Sequence, residues 1–511
     1  MRHLVIVAIL CVGLPVGSRQ ALATALDDYV AAPDPAYGYS LVNTISGPGY
    51  KAYVLNMTSQ SWRNANEVDR TVWRHWLTIL VPDVVSSPRA LLWINGGNNT
   101  DAAPTWLDTT LIGIAASART VVADLRMVPN QPLVFTGDGR QRYEDAIIAY
   151  TLDKYMATGD ANWPVLLPMV KSAVRAMDTI QTYLRSASRK PVEIKEFVVS
   201  GGSKRGWTTW LTAAVDPRVI AIAPLVIDVL NMGPQMHHHF SAYGFYSEAI
   251  QDYVDLHIFE RFDTPEGRQL QTFVDPYAYR DRYTLPKLLI NSTGDQFFLP
   301  DSGQFYVHDI PDSTYLRYCP NTDHSLVGLD APQALLTFYQ SVLTGLPRPQ
   351  FSWIVDANDQ IVVRTVTRPQ KVRLWQATNP YARDFRLETI GKAWTSSEIV
   401  AREPNLYVAC VPTPITGWTA FFAELTFSSG SAVPYAYTTE IHVVPRCLPY
   451  AYKLGLDEDQ DIDMADVAVL ADHWLTEGPT GDIAPLCGDG WVDFQDYATL
   501  ASEMKHEAVD N

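Results

Sequence analysis

Cationic charge is scarce in this chain. Across 511 residues, 39 lysines and arginines face 56 aspartates and glutamates, a formal net charge of −17. No basic tail offsets the deficit, so a general nucleic-acid binder is excluded, because phosphate neutralisation needs a surplus of Lys and Arg. Cysteine is sparse too. Apart from Cys11 there are Cys319, Cys410, Cys447 and Cys487, whose spacing fits no zinc pattern. They are too few to staple a chain of this length, and one disulfide, two or none are all compatible with them. Beyond the N-terminus no apolar run reaches the roughly 18 residues of a membrane span. The phosphate-loop pattern G-x-x-x-x-G-K-[ST] is absent, and so is a regular G-x-S-x-G.

What is present reads as several folded units. The start, "MRHLVIVAILCVGLPVGSRQALATALDD", has a basic residue, an apolar run from Leu4 to Gly17 and small residues at Ala21 to Ala23. That is the anatomy of a signal peptide over 1–23, cleaved near Ala23, and it predicts a secreted, periplasmic or cell-surface protein. "NMT" at Asn56, "NNT" at Asn98 and "NST" at Asn291 are glycosylation sequons in a host that uses them. From 24 to 345, short apolar runs such as "ALLWINGG", "RTVVADL", "IKEFVVSGGS" and "KLLINSTGD" alternate with helical patterns. That alternation predicts an α/β domain, a doubly wound parallel sheet covered on both faces. An aromatic-rich stretch at about 231–285 breaks the rhythm and is expected to pack over the sheet as a lid-like insertion. Strand-like runs at 350–446, among them "KVRLWQAT" and "WTAFFAELTF", predict a β-sandwich accessory domain.

The chemistry centres on "VEIKEFVVSGGSKRGWTTWLTAAVDPRV". A strand, a glycine-rich turn and a helix form the setting in which a serine nucleophile is held exposed on a strained elbow. Ser203 is that serine, and Gly201, Gly202 and Gly206 supply small neighbours. A serine hydroxyl needs a base to take its proton and an acid to orient the base. In sheets of this type the chain order is serine, acid, histidine. Asp295 ends the strand of "LLINSTGD", and His324 sits in the turn of "YCPNTDHSL", each just beyond a strand's C-terminal end. Asp301 and Asp323 are alternative acids. The tetrahedral oxyanion requires aimed donors. The N–H of Lys204 and the "NGG" loop at Gly96 and Gly97, with Asn95 before them, are expected to supply these. The side chains of Lys204 and Arg205 either add positive charge toward substrate or lie solvated on the first helical turn. Trp207 and Trp210 share a helical face and are expected in the core. "HHH" at 237–239 points three ways on a helix and reads as a polar segment of the insertion rather than a metal site.

These motifs resemble the PhoPQ-activated pathogenicity-related protein family. The resemblance runs from about 26 to 440 through "LDDYVAAPDPAYGY", "WINGGNN", "SGGSKRGWTTWLTAAVDPRV", "STGDQFFLPDS" and "PNTDHSL". It implies a secreted α/β-hydrolase fold, with Ser203, Asp295 and His324 at the triad positions. The gap from Ser203 to Gly206 also resembles the G-x-S-R-x-G elbow of glucuronoyl esterases. There an arginine follows the serine, and Lys204 stands at that position here. Lysine brings the charge without the planar fork, so the uronate-ester function does not carry over on this motif. The expected activity is a serine hydrolase acting on an ester or amide in a small-molecule, peptide or polysaccharide-linked substrate, with no cofactor for catalysis. The competing expectation is a non-catalytic carbohydrate- or protein-binding protein on the same scaffold.

The tail, 452–506, carries two acidic loops ahead of helices. Counting from Gly455, Asp457, Asp459, Asp461, Asp463 and Asp466 fall at positions 3, 5, 7, 9 and 12 of an EF-hand-like loop. A second copy places Asp489, Asp493 and Asp496 at 5, 9 and 12, with Pro485 and Cys487 at 1 and 3. The pair resembles a type I dockerin, which implies calcium in this small helical module and a cohesin-like protein partner.

Overall fold

The computed structural model describes residues 23–186, 191–311, 314–327, 331–456, 462–476, 478, 480–484, 488 and 491–507. The predicted signal peptide therefore lies outside the described residues, Ala23 excepted. A 14-stranded sheet runs through most of the chain. It opens with three antiparallel strands, Gly38–Gly47, Tyr50–Ser61 and Val72–Pro82. A parallel block follows in the order Val121–Leu125, Arg89–Ile94, Glu196–Gly202, Val219–Leu225, Lys287–Ser292, Thr314–Cys319.

Burial explains the strand sequences. Every residue of Val121–Leu125 and of Lys287–Ser292 is buried, because helices cover both faces. The helices Leu166–Ser186 and Lys204–Val215 pack on one face, while Thr109–Ala118 and Ala331–Thr344 pack on the other. The α/β expectation is thus met by a mixed sheet with a parallel centre. The register also aligns the strand ends. Ile94 pairs with Leu125 and Gly201, Gly202 with Leu225, and Ser292 with Cys319. Residues just past these ends therefore gather along one edge. The strand order reverses between Arg89–Ile94 and Glu196–Gly202, where a crevice opens for ligands in sheets of this kind.

The region expected to be a separate β-sandwich, 350–446, does not close on its own core. Its strands Tyr435–Thr438, Trp418–Phe427, Lys371–Asn379 and Thr395–Glu398 extend the main sheet, joined through the pair Leu316 and Thr438. A smaller sheet of Phe351–Val355, Ile361–Thr365 and Leu406–Ala409 packs against this extension. Ile361, Val363, Phe421 and Leu425 share one buried cluster with Leu91, Val198 and Ile290 of the parallel block.

The stretch at 231–285 is helical, with Met232–Tyr243 and Pro265–Val274 as its longer helices. Its Met232, Met236, Ile250, Tyr253 and Phe259 line the cavity beside Ser203 described below. The tail forms two helices, Met464–Asp472 and Phe494–Glu507, around a small core of Ile462, Leu470, Val492 and Leu500. Cys319 is buried, Cys410 is exposed and forms no disulfide, and Cys447 is disulfide-bonded. Asn98 is exposed, but Asn291 is buried in its strand, which removes that sequon from reach of any glycosyl transfer. Among the described residues no helix is long and apolar enough to cross a membrane.

Candidate active site

Ser203 stands between the strand Glu196–Gly202 and the helix Lys204–Val215 with φ 56° and ψ −129°. A non-glycine residue there is strained, and such strain persists only where the surroundings enforce it. The enforcement is visible on both sides. Ser203 N–H donates to Leu225 O at 2.8 Å, and Ser203 O accepts from Trp207 N–H at 3.0 Å. A Cβ at Gly201 would lie 2.9 Å from Arg205 O and Ile94 O, and one at Gly206 would lie 2.6 Å from Ile227 Cγ2. At Gly202 a Cβ would meet nothing within 4 Å. Two of the three glycines are therefore demanded by close approach, and Gly202 is not.

The candidate acid and the candidate base meet. Asp295 holds His324 Nδ1 with both oxygens, at 3.0 and 2.9 Å. Phe297 N–H donates to Asp295 Oδ1 at 2.8 Å, and Gln296 Oε1 accepts from His324 N–H at 3.1 Å. The Phe297 ring lies 4.3 Å from the imidazole centroid and fixes its plane. His324 Nε2 is buried and has no hydrogen-bond partner among the described residues, Ser203 Oγ included. The two loops are tied together: Gly294 N–H donates to Thr322 O at 3.0 Å and Asn321 N–H to Thr293 Oγ1 at 3.1 Å.

The alternative acids are otherwise employed. Asp301 is buried against His238 at 3.0 Å and Arg383 at 2.6 Å. Burial alone would raise its pKa, but Arg383 and His238 hold the carboxyl well below the usual range. Asp323 accepts from Ser325 N–H and Oγ–H, at 2.9 and 2.5 Å.

Beside Ser203 is a small cavity of about 40 Å³. Trp207, Ile227, Val229, Met232, Phe297 and Phe298 are among the side chains that make it apolar. Lys204 reaches it too, though its ammonium is not available to substrate. It is 7% exposed and pairs with Glu144 at 2.9 Å and Asp145 at 3.0 Å. Arg205 is likewise spent, on both Glu144 oxygens at 2.6 and 2.7 Å and on Val128 O at 2.6 Å. Both side chains bind the helix Lys204–Val215 to the helix Glu144–Thr158, so neither the substrate-facing nor the solvated reading of them describes this structure. Glu144 and Asp145 were not singled out from the sequence. Their signal was an acidic pair at a helix start, a common pattern whose cationic partners lie far along the chain.

The oxyanion loop is altered in one respect. Gly96 N–H donates to Asn95 Oδ1 at 2.9 Å, so it is already engaged, and a Cβ there would strike Arg205 Nη2 at 2.7 Å. Gly96 makes room for Arg205. Gly97, at φ 137°, follows in the same loop. The N–H of Lys204 is a first-turn donor that its own helix cannot satisfy. Trp207 and Trp210 are buried as expected, with Trp207 Nε1 donating to Val274 O at 2.7 Å. The three histidines diverge: His237 meets Asp263, His238 meets Asp301, and His239 accepts from Ser247 N–H.

In the tail, Asp457, Asp459, Asp461 and Asp489 lie outside the described residues. Asp463 and Asp493 cap their helices, accepting from Ala465 N–H at 2.6 Å and Gln495 N–H at 2.7 Å. Asp466 and Asp496 are fully buried. Asp466 accepts from the N–H groups of Leu456 and Asp463, and Asp496 from those of Ile483, Ala484 and Asp493. These carboxylates tie loops to helices. Among the described residues no three ligating side chains gather as a metal site would require.

The autocrine proliferation repressor protein A of Dictyostelium discoideum is 38% identical over 457 residues, covering 84% of this chain and 92% of that protein. Among solved structures, acetyl xylan esterase 1 from Thermoanaerobacterium sp. JW/SL YS485 aligns with TM-score 0.43 and 17% identity, over 62% of this chain and 91% of that one. A glucuronoyl esterase from Solibacter usitatus aligns with TM-score 0.37 and 13% identity, over 62% and 90%. The match over residues 26–386 shows that the chain belongs to the PhoPQ-activated pathogenicity-related protein family.

Proposed function

We propose that the protein is a serine hydrolase that cleaves an ester or amide through an acyl-enzyme. The observation that carries this reading is the imidazole of His324. Its Nδ1 is clamped by Asp295 and its buried Nε2 is left without a partner, on the sheet edge that holds the strained Ser203. In the reaction, Ser203 Oγ attacks the carbonyl carbon and its proton passes to Nε2. Asp295 stabilises the imidazolium and keeps the tautomer. The imidazolium then gives the proton to the leaving group as the bond to the acyl carbon breaks, and water repeats the sequence to free the acid. The N–H groups of Lys204 and Gly97 are the donors this reading assigns to the developing oxyanion. Nε2 and Oγ are not hydrogen-bonded at rest, and catalytic bonds of this kind commonly tighten only when substrate binds. The small apolar cavity suits a short acyl group. Secretion, with the paired tail helices as a tether to an extracellular partner, completes the proposal.

The test is labelling of the purified mature chain with a fluorophosphonate. Covalent modification at Ser203, abolished in Ser203→Ala and slowed in His324→Ala, is expected. Asp295→Asn should keep the fold yet lower kcat by about 10³–10⁴-fold, since the wrong tautomer would present N–H to the serine. A folded protein that takes no label would shift the reading to a binding protein on a hydrolase scaffold.

A further inference from the structure

The cavity beside Ser203 draws its lining from separate parts of the chain. Trp207 belongs to the helix that follows Ser203, and Ile227 and Val229 lie just past the strand Val219–Leu225. Met232 and Met236 come from the stretch at 231–285. They are four residues apart on the helix Met232–Tyr243, so they stand on one face of it, about one turn apart. His324 does not line this cavity, and neither do Gly96 and Gly97. A leaving group must reach the imidazole to take up its proton. The cavity therefore falls to the other side of the bond that breaks, the acyl group.

Size is the first constraint on that group. A single water fills roughly 10–15 Å³ of such space, so the cavity of about 40 Å³ holds about three atoms of that size. Charge is the second. Lys204 and Asp145 are the charged side chains among the described residues that line the cavity. Lys204 Nζ meets Asp145 Oδ2 at 3.0 Å and Glu144 Oε2 at 2.9 Å, and Arg205 also pairs with Glu144. Two cations thus answer two carboxylates. Tyr253, which lines the cavity too, donates its hydroxyl proton to Asp145 Oδ1 at 2.9 Å. A carboxylate or ammonium entering with the acyl group would lose its water and find no net charge to answer it, a cost that apolar burial does not return.

We propose that the acyl half of the substrate is a short, uncharged aliphatic acid of about two to four carbons, and that Met232 and Met236 set the length limit. The proposal rests on Ser203 as nucleophile and deepens that reading. It excludes peptidyl, long fatty and charged acyl groups. A chain longer than the limit would run into the two methionine side chains, and shortening either one opens space along the helix.

The experiment measures kcat/KM of the whole mature chain on four ethyl esters, with fluorophosphonate labelling of the same preparation in parallel. The esters are ethyl acetate, ethyl butyrate, ethyl hexanoate and monoethyl succinate, which share one leaving group. Acetate and butyrate should be cleaved about 100-fold faster than hexanoate. Succinate, close to butyrate in length but charged, should also lag butyrate by about 100-fold. Met236→Ala should raise hexanoate relative to butyrate by about tenfold, a gain that loss of structure alone would not produce. Met232→Ala serves the same purpose if Met236→Ala does not fold. A chain that labels at Ser203 yet cleaves hexanoate as fast as butyrate, or succinate as fast as butyrate, overturns the inference and leaves the serine reading standing. So does one that labels and cleaves none of the four. An unchanged ranking in both methionine variants removes their assigned role. A folded chain that does not label overturns the serine reading, and this inference falls with it.

Discussion

Gly201 and Gly202 are neighbours that look equivalent in the sequence and are not. A methyl group at Gly201 would press on two backbone oxygens, neither of which can yield without moving the elbow. The same methyl at Gly202 would enter open space. Gly201→Ala should therefore cost about 1–3 kcal/mol of stability, as overpacking does, and should slow fluorophosphonate labelling of Ser203. Gly202→Ala should stay within about 0.5 kcal/mol of the parent. Urea melts of both variants read the contrast directly, and equal losses would mean that the elbow is not as tightly closed as its contacts indicate. A second consequence at this scale is electrostatic. Burial pushes the Glu144 carboxyl up, but Arg205 and Lys204 outweigh it and hold the pKa at about 2. A depressed carboxylate contributes stability that is present above its unfolded value and lost as pH falls through the folded one. The wild type should thus lose stability between about pH 4.5 and pH 2 through this group, and the gap to Glu144→Gln should narrow over that window. Thermal melts at pH 5 and pH 3 measure it, and a gap that does not change with pH would assign the loss to other carboxylates.

Among the elements, the strand-turn-helix around Ser203 was legible because it is local. Strand, glycines, serine and helix follow one another in one short stretch, and each step has its own chemistry. The partnership of Asp295 with His324 was legible from chain order and strand ends. What the sequence could not show was the fate of Lys204 and Arg205, since the carboxylates that take them up lie about sixty residues upstream. The tail is a mixed case. Its repeat was legible, and the structure repeats with it: Asp463 and Asp493 cap, while Asp466 and Asp496 reach back to the N–H of the cap residue and to the loop before it. Of the carboxylates that suggested calcium, Asp463, Asp466, Asp493 and Asp496 accept backbone N–H groups. Asp466→Ala and Asp496→Ala should each destabilise the tail by about 1–2 kcal/mol, the scale of a lost cap with its buried N–H groups left open. Limited proteolysis, read under reducing conditions because Cys447 is disulfide-bonded, should then release residues beyond about 450 while Ser203 still labels. A tail that resists cleavage equally in both variants would deny these bonds that role.

For the whole molecule, the instructive departure is the boundary near 345. Runs with strand character announce strands, but not whether a strand pairs with its own neighbours or continues another sheet, because an exposed edge accepts either. Here the later strands continue the first sheet, and the chain between them returns to the candidate site. Leu387 N–H donates to Gly294 O at 3.1 Å, beside Asp295. Asn321, three residues before His324, exchanges two bonds with the backbone of Trp394, both at 2.9 Å. Arg383 neutralises Asp301 in the loop that follows the acid. The segment 383–394 thus braces both the Asp295 loop and the His324 loop from outside the region that the sequence marked as the hydrolase. A chain ending at 345 would lose that brace, expose the edge strand Thr314–Cys319 and uncover the apolar residues now packed by Phe421 and Leu425. It should be recovered only as aggregate, with no label at Ser203, whereas a chain ending at 450 should stay soluble and label at the parental rate. Asn321→Ala separates bracing from folding. Losing two bonds to a buried backbone costs about 1–3 kcal/mol, and the labelling rate should fall about tenfold while the melt stays cooperative. If the chain ending at 345 folded and labelled normally, the extension would be an appendage, and the arrangement of Asp295 and His324 would have to be self-supporting.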